Sequence, residues 1–166
     1  MKLVDSKIEI LPQFAGLDGI YKQIEIAGRT CYKSEDKITA DSAKEFVDRM
    51  IHNKHTAMLE HGTVYLTIPT GEWNEDQHEF LYMFPEDCPW VNVNGDGKNM
   101  YVTTNFRHII EGGVGIETMN KYLTEPSAHH LPRITVKFTC DRGVSHELVR
   151  HRKFSFAQES TRQWRH

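Results

Sequence analysis

Apolar and polar positions change their period several times along this chain, and each change marks a structural element. KIEIL (7–11) alternates and stops at Pro12, which predicts a short edge strand. From Leu17 to about Cys31 the period lengthens: Leu17, Ile20, Ile24 and Ala27 fall at helical spacing with polar residues between them. SAKEFVDRMIHN predicts a second helix, with Asp41 as its N-cap and Ala43, Phe46, Val47 and Met50 on one face. HGTVYLTIP (61–69) is rich in β-branched and aromatic residues and ends at Pro69, so it reads as a strand.

The pattern loosens from Gly71 to Lys98. This acidic, aromatic stretch ends in the turn-forming NGDGKN and reads as an insertion or hairpin, with EWNEDQHE (72–79) a solvated face, before MYVTTN resumes regular structure. NFRHIIEG and IETMNKYL predict two short helices broken by Gly112, Gly113 and Gly115. RITVKFTC (133–140) alternates cleanly as a strand, and DRGVSHELVRH supplies an Asp cap and a short helix. KFSFAQES alternates again and predicts an extended segment. Strands and helices without βαβ regularity imply an α+β class, a mixed or antiparallel sheet flanked by helices, organised as one domain over residues 1–166.

Composition narrows the class. With 39% hydrophobic and 26% charged residues, the sequence is neither disordered nor collagen-like. No run approaches the roughly 18 apolar residues of a membrane span, and the first twenty residues lack a signal-peptide pattern. Cys31, Cys88 and Cys140 are far apart and form no CxxC pair, which argues against a disulfide framework or zinc knuckle and for a reducing cytoplasm. The net charge of −3 is unevenly spread: between Arg142 and His166 six Lys or Arg stand against two acids, so the tail carries +4 and the rest −7. A local cation cluster suits one anionic ligand better than a long polyanion.

That cluster is RHRKFSFAQESTR (150–162). Guanidinium groups present rigid donor forks suited to phosphate and carboxylate. On an extended backbone Gln158, Ser160 and Arg162 share one side, and a charged fork, a hydroxyl and an amide in line make a mononucleotide cradle. Two other readings stand beside it. Arg150 with Glu147, and Arg162 with Glu159, would be plain surface ion pairs. Phe154, Phe156 and Trp164 among the cations would stack single-stranded nucleic acid, which the negative net charge disfavours. Ser155 and Ser160 sit in no nucleophile elbow and read as hydrogen-bond donors. Cys140 closes a strand and reads as a buried, inert thiol. His55 and His61, six apart, do not share a helical face, so no metal centre is expected; His129 and His130 read as solvent-facing in a loop before Pro132.

RHR at 150–152, followed by Ser160 after a seven-residue gap, resembles the signature of the flavin-dependent thymidylate synthases. DRGVSHELVRHR resembles the capped helix leading into that motif, and FSFAQESTR its continuation. Upstream, KHTAMLEHGTVYLTI (54–68) is similar to the family's His-x-x-x-x-Glu-His segment, a short helix entering a strand. The matching elements run in order from roughly Gly28 to Arg162.

The resemblance implies synthesis of dTMP from dUMP, with methylenetetrahydrofolate as carbon donor, FAD as hydride carrier and NADPH as reductant. It also implies a cytoplasmic homotetramer whose active sites draw on more than one subunit. Carried over by position, Arg150, His151 and Arg152 would contact the flavin, as would His55, Ala57, Glu60 and Gln158. Arg150 would also reach dUMP. Glu147, Leu148 and Val149 precede the triplet on the nucleotide side, and Gln158, Glu159, Ser160, Thr161 and Arg162 would form the dUMP loop. Arg150, Ser160 and Arg162 would serve catalysis. Position 57, often Thr in the family, is Ala here and offers only backbone; position 158 is Gln where some members have Glu. Members continue well past this motif, so the expectation is a polypeptide that lacks the C-terminal part of the family's fold. The alternative is a non-catalytic member that retains nucleotide or flavin binding.

Overall fold

A computed structural model of the protein describes residues 5–71, 82–85, 87–151 and 153–159. Its secondary structure runs β1 (Lys7–Leu11), α1 (Gly16–Tyr32), α2 (Ser42–His52), β2 (Thr63–Pro69), β3 (Asn92–Gly95), β4 (Asn99–Asn105), α3 (Phe106–Glu111), α4 (Ile116–Tyr122), β5 (Thr135–Thr139) and α5 (Arg142–Leu148). A 3₁₀ turn, Thr56–His61, leads into β2. The class is α+β, with two antiparallel sheets flanked by helices: a three-stranded sheet ordered β2-β4-β3 and a two-stranded ribbon of β1 and β5. None of the described helices is long and apolar enough to cross a membrane.

The core forms where amphipathic faces meet. Ile20 and Ile24 of α1 join Ala43, Phe46, Val47 and Met50 of α2, Leu59 of the 3₁₀ turn, and Val64, Leu66 and Ile68 of β2. Two glycines permit this approach. A Cβ on Gly28 would stand 2.5 Å from the Phe46 ring, and one on Gly62 would stand 2.7 Å from Ile20 and Ile24. Both are closer than carbon atoms can pack. Gly62 also accepts the Phe106 N–H at 2.8 Å, tying the entry of β2 to α3.

Buried Glu25 links the first two helices. Its carboxylate accepts from Arg29 at 3.1 Å and from the Ser42 hydroxyl at 2.9 Å. Asp41, expected to cap α2, makes no side-chain cap bond. Ser42 ties down the approaching backbone instead, accepting from the Thr39 N–H at 2.9 Å. The expected hairpin is present as β3–β4, its turn pinned by Asp96, which accepts from the N–H groups of Lys98 and Asn99 and from the Tyr101 hydroxyl. Those bonds hold the Asp96 carboxyl down at about 2. The acidic patch, 72–79, lies outside the described residues.

Two further expectations are corrected, and a third segment finds no partner. His130 is buried, not solvent-facing: its Nδ1 accepts the Ser127 N–H at 3.0 Å, and Nε2 meets the Leu66 carbonyl at 3.0 Å, serving the open edge of β2. Cys140 is only half-buried, because the ribbon it follows is poorly covered. Residues 155–159 join neither helix nor sheet despite their alternation. Among the described residues, β5 pairs with β1 alone, so this segment finds no strand edge and turns back onto α1 and the 3₁₀ turn.

Candidate functional site

The 3₁₀ turn carries the upstream candidates. His55 is its N-cap, with Nδ1 3.3 Å from the Tyr32 hydroxyl at the end of α1. Ala57 is exposed. Glu60 turns inward and accepts from Arg107 Nη1 of α3 at 2.6 Å. Arg107 also donates to Glu111 at 2.9 Å, and Thr56 donates to the same carboxylate at 2.6 Å. These bonds raise the pKa of Arg107 and lower that of Glu111, for which the Thr56 hydroxyl is the leading cause. A small cavity of about 200 Å³ is lined by Glu60, Arg107, His108 and Glu111.

The downstream candidates sit on α5 and beyond. Asp141 caps that helix, its side chain accepting from the Gly143 N–H at 2.7 Å. Glu147 and Arg150 form the surface pair that their spacing allows: Arg150 Nη1 donates to both carboxylate oxygens at 3.0 Å. Leu148 is half-buried and Val149 is the exposed C-cap. His151 is exposed, its ring 6.3 Å from that of Phe154. Gln158 donates to the Ser145 hydroxyl at 2.8 Å, folding the segment back on α5. Glu159 pairs with Lys33, at the end of α1. Arg152, Ser160, Thr161 and Arg162 lie outside the described residues.

The two groups of candidates converge. The imidazole of His61, the last residue of the 3₁₀ turn, lies close enough to the Phe156 backbone to be influenced by it, as does the Cys31 thiol of α1 to the Gln158 backbone. With the Lys33–Glu159 pair, residues 156–159 thus lie across the end of α1 and the 3₁₀ turn. Burial lowers the His61 pKa, so the ring is neutral at ordinary pH. Its Nε2 and the Ser155 hydroxyl are both buried without a hydrogen-bond partner among the described residues. A neutral imidazole nitrogen accepts and a hydroxyl does either, so both groups keep unused bonding capacity.

Three of these participants escaped sequence reasoning as site residues. Arg107 is 47 positions from Glu60, and the only sequence signal was its i,i+4 relation to Glu111. Lys33 gave none. His61 was visible as half of a rejected metal pair and as the last residue of the His-x-x-x-x-Glu-His resemblance, but neither assigned it a site role. A scan against protein-family models, a search of curated proteins and a search of solved structures each returned no match.

Proposed function

We propose that this protein is a flavin-dependent thymidylate synthase, with the fold of that family, which converts dUMP to dTMP using methylenetetrahydrofolate as carbon donor. The observation that carries the reading is spatial. Two sequence elements that resemble the family's motifs approach one another through His61 and Phe156, 95 positions apart. The unpartnered His61 Nε2 and Ser155 hydroxyl support a ligand there, since a buried polar group left unbonded costs about 1–3 kcal/mol. The N–H and carbonyl edges of a flavin or a uracil would satisfy both.

The FAD group, reduced by NADPH, supplies the hydride when bound. The protein's task is orientation and charge. His61 accepts an N–H from the ligand edge and Ser155 donates to a carbonyl. Arg150 exchanges its pair with Glu147 for phosphate or for negative charge developing on the uracil. That exchange is cheap: both side chains are over 70% exposed, and such a pair stabilises by about 0–1 kcal/mol. Gln158 adds an amide, and Ser160 and Arg162 complete the dUMP loop on the strength of the sequence motif. Ile8, Ile10 and Phe138, apolar and exposed on the ribbon, favour the shared-site homotetramer.

Visible absorbance of the purified protein, followed by dUMP-dependent oxidation of its reduced flavin, tests the reading. Bound flavin that dUMP oxidises supports the synthase. Bound flavin without that oxidation, or dUMP binding without flavin, supports the non-catalytic alternative, and failure to bind either FAD or dUMP overturns both. Arg150→Ala is expected to lose flavin while keeping its circular dichroism spectrum; full retention would remove Arg150 from its assigned role.

A further inference from the structure

A second cavity, of about 320 Å³, opens between the β1–α1 connection, the outer edge of β2 beside Leu123 and Thr124, and the segment entering β5. Its walls are largely apolar, with Leu11, Phe14, Leu123 and Ile134 among them. Arg133 also lines it, half-buried, and among the described residues its guanidinium makes no hydrogen bond or ion pair. A cation removed from water without a partner is unfavourable, and burial accordingly presses the Arg133 pKa below its ordinary value. Glu60 is near enough to be felt by Arg133 but is committed to Arg107 at 2.6 Å.

A second donor faces the same space. The Tyr65 hydroxyl accepts the Arg133 backbone N–H at 3.1 Å, and its own hydrogen has no acceptor among the described residues. A guanidinium and a phenol, both with donors to spare, converge on one apolar cavity. Glu125 also lines the cavity and disfavours a dianion there. The volume admits a ring or short aliphatic tail behind the charged end.

We propose that this cavity is a binding site for an organic monocarboxylate with an apolar body, its carboxylate held by Arg133 and Tyr65. The proposal does not rest on the thymidylate synthase reading, and its test uses neither flavin nor nucleotide. Phenylacetate is titrated into the whole protein by calorimetry, with phenethylamine as cationic isostere and inorganic phosphate as compact anion. Phenylacetate is expected to bind, phenethylamine not, and phosphate more weakly. Arg133→Gln should weaken phenylacetate about 10-fold or more, the loss that removing a charge-assisted hydrogen bond implies. Tyr65→Phe, which keeps the ring, should weaken it less and serves alone if Arg133→Gln does not fold. Absence of phenylacetate binding, equal binding of the amine, phosphate binding as tight as phenylacetate, or wild-type affinity in a folded variant overturns the assignment.

Discussion

Strands β2 and β1 carry the same alternation of apolar and polar residues, yet Val64, Leu66 and Ile68 are fully buried while Ile8 and Ile10 are 68% and 67% exposed. The register of the ribbon explains how. Ile8 stands opposite Phe138 and Ile10 opposite Val136, so the apolar side chains of both strands gather on one face. That face looks outward, while Glu9 on the other side is half-buried and paired with Lys7. In the three-stranded sheet, two helices and a 3₁₀ turn cover the apolar residues. Alternation therefore predicts a strand in both places but says nothing of what will cover its greasy side. Most downstream site candidates follow the ribbon rather than the core.

The sharpest test of this contrast is to truncate matched residues. Leu66→Ala should lower the free energy of unfolding by about 2–5 kcal/mol, the range for a buried leucine leaving a cavity. Ile8→Ala should change it by less than about 0.5 kcal/mol in dilute protein. Denaturant titration measures both, and equal losses would show the ribbon to be packed after all. Raising protein concentration sharpens the comparison: if a second copy covers the ribbon, the Ile8→Ala deficit grows with concentration while that of Leu66→Ala does not. Gly62→Ala comes next. Its new methyl would meet Ile20 and Ile24 at 2.7 Å, and overpacking of this kind costs about 1–3 kcal/mol. Wild-type stability in that variant would mean the 3₁₀ turn is loosely seated, and the upstream half of the site with it.

Local chemistry made much of this fold legible. Helical spacing predicted α1 and α2 with their buried faces, Pro69 ended β2, and Asp141 caps α5 as its position indicates. Long-range bonding was not legible. Nothing near Glu60 shows that Arg107 will hold it, and nothing near His130 shows that β2 has an edge carbonyl requiring a donor. RITVKFTC forms a strand only from Thr135 to Thr139, since the Arg133 N–H is taken by the Tyr65 hydroxyl, 68 positions away. The same limit applies to KFSFAQES: its period of two predicts extended backbone, but nothing local says whether a strand edge will meet it, and residues 155–159 pair with none among the described residues. For the site, residue types and spacing identified the candidates, while their meeting at His61 depends on contacts 95 positions apart.

His61 belongs to both regions at once, seated at the head of β2 and close to the Phe156 backbone after α5, so its titration reports on the seam between them. Burial is the largest influence on its pKa and lowers it; Arg133 acts in the same direction, while Glu60 and the Phe156 backbone oppose. The unfolded protein, whose histidine keeps the ordinary value of 6.5, therefore binds more protons than the folded one at mildly acid pH. The stability contributed by the neutral ring is complete above that value and is lost as pH falls through it toward the lower folded pKa. His61→Gln removes the titration while keeping a polar side chain. The variant's unfolding free energy should decline less than the wild type's between about pH 7 and pH 5, the remaining slope belonging to the other histidines. The effect is smaller than either packing change, because the desolvation is partly offset by Glu60 and Phe156. Parallel pH profiles for the two proteins would mean that His61 is not buried against the C-terminal segment in solution, and the two halves of the site would then be separate surfaces.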